Sequence, residues 1–166
     1  MEEKADRIAL FKEIMSNYPT GVTIVTTADE RGTPVGLTVN SFASVSLEPL
    51  LILWAIDHRV SSFEIFKRAG KFAVHILAAD QEDLCLLFAK KGTDRFAQCK
   101  WRMSNDQLPI ISGACAVLQC KTYKSVEAGD HTILIGEVIE MDRGDKDPLL
   151  YHRRKFGAIP KKFYQD

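Results

Sequence analysis

The sequence lacks most of the signatures by which a chain declares its chemistry. No run approaches the ~20 apolar residues of a membrane-spanning helix. The opening stretch MEEKADRIALF begins acidic and holds no long apolar segment, so neither a membrane anchor nor a secretory signal is expected. An excess of charge is missing too. Lys plus Arg equals Asp plus Glu, 22 each, which gives nucleic acid or an anionic surface no electrostatic grip. There is no G-x-G-x-x-G and no G-x-x-x-x-G-K-[ST], so the two commonest glycine loops for nucleotides are excluded. There is no G-x-S-x-G nucleophile elbow. Cys85, Cys99, Cys115 and Cys120 form no C-x-x-C pair, and His58, His75, His131 and His152 form no H-x-x-x-H pair. A zinc site, or any metal, is therefore not expected, and free thiols in a cytoplasmic protein are the better reading. Internal repeats and low-complexity segments are absent as well.

What is present suits one domain over residues 1–166. The chain is 46% hydrophobic and 27% charged, and at this length it can bury roughly 70% of its unfolded surface without a metal or disulfide. Residues 4–17 read as a helix, with Ile8, Phe11, Ile14 and Met15 at helical spacing. GVTIVTTADERGTPVGLTVNS reads as a hairpin: Val22, Ile24 and Thr26 alternate with Thr23, Val25 and Thr27, ADERGTP turns, and a second strand runs from about Val35 to Ser41. LLILWAI at 50–56 is a buried strand by its length. SSFEIFKRAG predicts a short helix with a Ser61–Glu64 capping box and a stop at Gly70. KFAVHIL is a strand. ADQEDLCLLFAKKG predicts a helix with Asp80 as N-cap, two lysines in its last turn and Gly92 at its end. Residues 93–113 read as irregular with one short strand. Two long strands follow, joined at EAGD, with Ala116, Leu118, Cys120 and Tyr123, then Ile133, Ile135 and Val138, interleaved with polar positions. The chain closes on a short apolar stretch and a basic tail. Hairpins with two inserted helices, rather than β-α-β alternation, favour a mainly β antiparallel barrel or sheet over a doubly wound fold.

Three neutral-polar clusters stand at strand or helix ends. Thr38-Val39-Asn40-Ser41 is either a strand leaving the sheet through a turn, or a set of fixed dipoles against a flat heterocycle with alternating donors and acceptors. Ser61-Ser62, behind Arg59, is either a plain capping box or part of an anion site at a helix start. Gly129-Asp130-His131 is either a hairpin turn with a surface histidine, or a pocket mouth where an imidazole, which changes charge near neutral pH, can supply a proton. His152-Arg153-Arg154-Lys155 is a solvated segment or a contact for a dinucleotide's phosphates.

The order of these clusters resembles the short flavin reductases, the flavin reductase-like domain of the FMN-binding split-barrel superfamily, among them the reductase components of two-component flavin-dependent monooxygenases. The resemblance rests on YPTGVTIVTT (18–27), GLTVNSFASVSLEP (36–49), FAKKGTDRF (88–96), GDHTILIGEV (129–138) and PLLYHRRKFG (148–157). It implies a six-stranded antiparallel Greek-key split barrel over about 20–143, behind the N-terminal helix at about 4–17 and before a C-terminal segment at 148–166. The barrel assembles as a homodimer with FMN or FAD near the interface. It further implies an NAD(P)H-dependent flavin reductase that hands reduced flavin to a partner monooxygenase. A tightly bound FMN serving another acceptor, or relaying electrons, is the alternative. By the same resemblance Thr38, Val39, Asn40 and Ser41 line the isoalloxazine. Ala55 and Ile56 offer backbone contacts, Ser61, Ser62 and Lys90 meet the phosphate, and His131 is the catalytic residue beside the nicotinamide of NADH or NADPH. The segment YHRRKFG departs from the pattern in lacking a glycine after its first arginine.

Overall fold

The computed structural model describes residues 2–165. Helix α1 spans Glu2–Ser16. Strands β1 (Thr20–Gly21), β2 (Thr23–Ala28), β3 (Pro34–Val39), β4 (Ala43–Leu47) and β5 (Leu50–Asp57) lead into α2 (Phe63–Arg68), β6 (Lys71–Ile76) and α3 (Glu82–Ala89). A 3-10 turn (Phe96–Gln98), β7 (Trp101–Met103) and β8 (Pro109–Ile111) precede the long strands β9 (Ala116–Ala128) and β10 (His131–Arg143). The chain finishes with β11 (Leu150–His152), β12 (Lys155–Gly157) and a 3-10 turn at Lys161–Tyr164. The fold is mainly β with few helices.

Seven strands form one sheet in the order β3-β2-β6-β9-β10-β5-β4, every neighbouring pair antiparallel. The sheet curls on itself. Val25 and Leu37 from one end meet Ile52, Trp54 and Ile56 from the other in a single core, with Phe66, Phe72, Val74, Cys120 and Leu134. No ladder joins β3 to β4 among the described residues, so the curl stays open along that seam. The strand count exceeds the expected six because the stretch from Val35 to Leu47 breaks at Asn40–Phe42 and resumes as a separate edge strand.

Strand β2 is buried on both faces. Val25 faces the first core, while Val22 and Ile24 belong to a second one with Leu77, Cys85, Phe88, Phe96, Ile111 and Leu149. Its threonines tolerate this because each hydroxyl reaches a carbonyl: Thr23 to Val39 at 2.8 Å, Thr26 to Pro109 at 2.6 Å and Thr27 to Lys71 at 2.9 Å. Burial of His75 has the same explanation. Its Nδ1–H donates to Ile24 O at 3.0 Å, and its Nε2 accepts the Ile111 N–H at 3.0 Å.

Several local expectations are corrected. Helix α2 begins at Phe63 with Ser62 at the N-cap and no side-chain cap bond, so the Ser61–Glu64 box does not form. Gln81, not Asp80, is the N-cap position of α3, because Asp80 is drawn away by Lys146 at 2.6 Å. That helix ends at Ala89, leaving Lys90, Lys91 and Gly92 in the following loop. The irregular region pairs two strands, β7 with β8. On β10 the buried positions are Thr132, Leu134 and Gly136, so Ile133 and Ile135 lie on the outer face. The run Ile-Leu-Ile is apolar in either phase, and only the tertiary fold chooses one. The C-terminal apolar stretch and basic segment form a hairpin, β11–β12, added to β1.

That hairpin turns on two arginines with positive φ, Arg153 at 47° and Arg154 at 63°. Arg153 is anchored: its N–H donates to Ser16 O at 3.0 Å and its Nε to Asn17 Oδ1 at 2.8 Å. Arg154 bears the left-handed conformation at a cost of about 1–2 kcal/mol. This is the position where the resemblance noted above leads one to expect a glycine. Arg154→Gly should therefore stabilise the fold by about 1 kcal/mol, after the entropy of a freer unfolded chain is subtracted. In a thermal melt that reads as a rise of about 2–4 °C, and a fall would overturn the assignment of strain.

Candidate functional site

The site begins where β3 ends. A groove of about 880 Å³ opens there, lined among others by Asn40, Ser41, Phe42, Leu53, Tyr151 and Arg154. Its walls come from the β3–β4 break, the start of β2, β5 and the C-terminal hairpin, with Phe11 and Met15 of α1 along one side. The polar groups are unequal. Thr38 Oγ1 donates to Cys85 O at 2.7 Å, which ties β3 to α3. The Val39 carbonyl accepts from Thr23. Ser41 Oγ accepts the Ala55 N–H and donates to the Ala55 carbonyl, both at 3.0 Å. One hydroxyl thus stands in for a missing strand across the open seam. Asn40 is exposed, and it brings to this groove an amide that can both donate and accept. Ile56 points its side chain into the core and is 1% exposed, so only its backbone is available to a ligand.

A second concavity of about 310 Å³ is lined by Val35, Gly36, Ser61, Ser62, Thr93 and Arg95, among others. It lies toward the beginning of β3, four residues from Asn40, or about 13 Å along an extended strand. Lys90 does not line it. Its carbonyl instead accepts from the Arg95 guanidinium. Arg95 donates as well to Gly36 O at 2.6 Å. It is half-buried, and burial alone lowers its pKa from the usual value. Sequence reading missed this arginine because nothing in KGTDRF distinguishes a solvated cation from one held by backbone carbonyls. Helix α2, six residues long, adds no dipole site of its own.

A charged corner closes the far end of β5 and β10, where His131 lies opposite Asp57 and Thr132 opposite Ile56. His131 Nδ1 is 2.7 Å from Asp130 Oδ1. A carboxylate only accepts, so Nδ1 carries the hydrogen and Nε2 is the free nitrogen. The Arg59 side chain grips Asp57, with Nη2–Oδ2 at 2.5 Å and a further bond from its own N–H at 2.8 Å. These bonds hold the Asp57 carboxyl far below the usual carboxylate range. The His131 hydrogen bond likewise lowers that of Asp130. His58, not anticipated as part of this corner, reaches the buried Thr132 hydroxyl at 3.0 Å and packs on Phe63.

The structure therefore joins Ser41 to Ala55, puts Ser61 and Ser62 with Arg95, and sets His131 one residue beyond the Ala55–Ile56 segment across the ladder. All four cysteines are free. Burial raises the Cys85 thiol to about 11 and the Cys120 thiol to about 12, so neither is a thiolate near neutral pH. Among the described residues no cluster of three or more His, Cys, Asp or Glu is placed to hold a metal ion, and no helix is long and apolar enough to cross a membrane.

Comparison with known proteins gives this geometry a context. A family profile described as "Flavin reductase like domain" matches residues 15–160. The chain is 43% identical over 151 residues to the reductase component of a flavin-dependent trigonelline monooxygenase from Acinetobacter baylyi. That match covers 91% of this chain, and the chain spans about half, 49%, of that relative's length. It is 39% identical to the FMN reductase (NADH) SmoA of Agrobacterium fabrum, covering 91% of this chain and 86% of that one. The solved structure of the NADH:FAD oxidoreductase SgcE6 from Streptomyces globisporus, in complex with NAD and FAD fragments, superposes with a TM-score of 0.87 at 35% identity. It covers 94% of both chains. The chain belongs to the flavin reductase-like domain family.

Proposed function

We propose that this protein is an NAD(P)H-dependent flavin reductase: it transfers hydride from NADH or NADPH to FMN or FAD and supplies the reduced flavin to a partner monooxygenase. The observation that carries this reading is the pairing of a roomy groove edged by neutral dipoles with a separate cleft holding an arginine and hydroxyls. A flavin has that same division between a flat neutral ring and an anionic tail. SmoA and SgcE6 are named for this activity.

In this reading the whole chain, 1–166, is one flavin reductase-like domain acting in the cytoplasm. The curled sheet is the Greek-key split barrel of that family, its split being the seam that Ser41 bridges. Thr38, Val39, Asn40 and Ser41 form the ring side of the site with the Ala55–Ile56 backbone, and Ser61 and Ser62 form the phosphate side, in a cleft that Lys90 does not line. The bound flavin supplies the hydride-accepting chemistry. The protein's task is to hold both reactants in register. Ser41 fixes the position of Ala55, Thr38 fixes β3 against α3, and Asp130 fixes His131 so that Nε2 faces outward. Two apolar surfaces support a homodimer. One is the α1 stripe, where Phe11 is 64% and Ile14 57% exposed. The other is the outer face of β5 and β10, bearing Leu53, Ile133 and Ile135.

Loss of NADH or NADPH absorbance with and without added FMN, FAD or riboflavin tests the activity. Oxidation that requires flavin and scales with it is the expected result. A yellow protein that retains FMN through gel filtration and oxidises no NAD(P)H would overturn the reading in favour of an electron-relaying flavoprotein. His131→Ala should lower turnover with NADH roughly 10- to 100-fold while flavin affinity survives. Equal loss of both would move His131 into the flavin site.

A further inference from the structure

We propose that His58 is a positioning residue for His131: it grips the residues on either side of that histidine and so sets where its imidazole stands. This rests on the flavin reductase reading above and deepens it by naming a residue, outside both the groove and the cleft, on which turnover depends. The His58 N–H donates to Asp130 O at 3.1 Å. Its ring Nε2 lies 3.0 Å from Thr132 Oγ1. Asp130 and Thr132 are the chain neighbours of His131, so one residue holds both.

The need for such a grip follows from where His131 lies. It is the first residue of β10, and it pairs with Asp57 and Ala128, the last residues of β5 and β9. Those are the end rungs of both ladders, where strands open most easily. A turn with Gly129 at a φ of 65° comes just before it. Asp130 holds the His131 ring through Nδ1, but Asp130 belongs to that turn, so it orients the ring only as well as its own backbone is held. His58 adds a rung beyond the end of β5, at the Asp130 carbonyl, and a side-chain bond at Thr132. Thr132 is 0% exposed, so its hydroxyl has no water to turn to and the imidazole is its partner. The His58 ring is backed by Phe63, the first residue of α2, with 4.8 Å between centroids. His58 itself is exposed, so the bracket can be removed without opening a core.

The test compares the full-length protein with His58→Phe, His58→Gln and Thr132→Val. H58F keeps an aromatic ring against Phe63 but cannot bond Thr132. H58Q carries an amide at about the reach of Nε2. H58F should lower turnover with NADH roughly 3- to 10-fold, less than removal of His131 itself, and leave flavin affinity unchanged. H58Q should recover most of that loss, and T132V should match H58F. H58F is then combined with H131A. A residue that acts through His131 has nothing left to position there, so the double variant should be no slower than H131A alone. Wild-type turnover in H58F, a further loss by the same factor in the double variant, or H58Q no better than H58F would each overturn the proposal. The ring-nitrogen NMR spectrum of His131 gives a readout that needs no turnover. The wild-type protein should show the hydrogen on Nδ1 and H58F a mixture of both tautomers, and identical spectra would overturn the proposal as well. If NAD(P)H is not oxidised by the wild-type protein but the spectra differ in this way, the reductase reading fails and the positioning by His58 stands.

Discussion

Between pH 6.5 and about 4 the protein should lose on the order of 3 kcal/mol of stability through one side chain, His75. The imidazole is completely buried, and burial pushes its pKa down from 6.5 to about 4. Its two nitrogens are committed in the neutral form, one as donor to Ile24 O and the other as acceptor from Ile111 N–H. A proton on Nε2 would set two donors face to face. The unfolded chain takes up its proton below pH 6.5, whereas the folded one resists until about 4. The unfolded state therefore binds more protons in that window, and stability falls as the pH falls through it. The loss follows from the separation of the two values at 1.36 kcal/mol per unit. Urea midpoints measured across this range on the wild-type protein and His75→Gln give the check. H75Q should be weaker at neutral pH by about 1–3 kcal/mol, since Ile24 O or Ile111 N–H loses its partner. It should also show a flatter slope toward acid. A wild-type profile with the same slope as H75Q would show that this histidine does not govern acid stability.

Gly136→Ala should cost about 3 kcal/mol or more, although it adds a single methyl group. A Cβ built at Gly136 lies 2.4 Å from Phe72 Cζ and 2.8 Å from Cys120 Cβ. Neither neighbour has room to retreat. Phe72 is 1% exposed and packs edge-on against Trp54 at 5.8 Å, and Cys120 is 0% exposed between strands. The ladder has a register shift at Ile135/Gly136, so this close approach falls at a bulge. Gly157→Ala is the control, because a Cβ there meets nothing within 4 Å. A G136A melting point equal to that of G157A would show that the core yields at this point.

Much of this architecture was legible because each long element carries an unambiguous period or run. LLILWAI forms the expected strand, though only Ile52, Trp54 and Ile56 are buried in it and Leu50 is exposed, and KFAVHIL is buried along four of its six strand residues. The candidate site was legible only as an ordered set of motifs, and the fold puts Asn40 at the groove, Ser61 and Ser62 at the cleft and His131 beside Asp130. What was not legible depends on partners distant in the chain. Asp80 looked like an N-cap until Lys146, 66 residues away, claimed it. Ser41 looked like a ligand group, and only the fold shows it holding Ala55. Arg95 looked like any loop cation, since its carbonyl partners, Gly36 and Lys90, are a property of space rather than of sequence. The Arg153–Arg154 turn was hidden for the opposite reason, because its residues contradict the local preference for glycine.

The Ser41–Ala55 bridge also determines where this sheet can breathe. Elsewhere, separating two neighbouring strands breaks a whole ladder and exposes core. Where the β3–β4 connection passes β5, letting Ser41 go gives up one hydroxyl's two hydrogen bonds, about 1–3 kcal/mol together. Thermal motion supplies that readily, while Val25 and Leu37 stay packed on Ile52, Trp54 and Ile56. The sheet therefore has a built-in slit beside the groove. Widening it shifts Asn40 relative to Ala55 without disturbing the Gly36 carbonyl that holds Arg95 or the strand that carries His131.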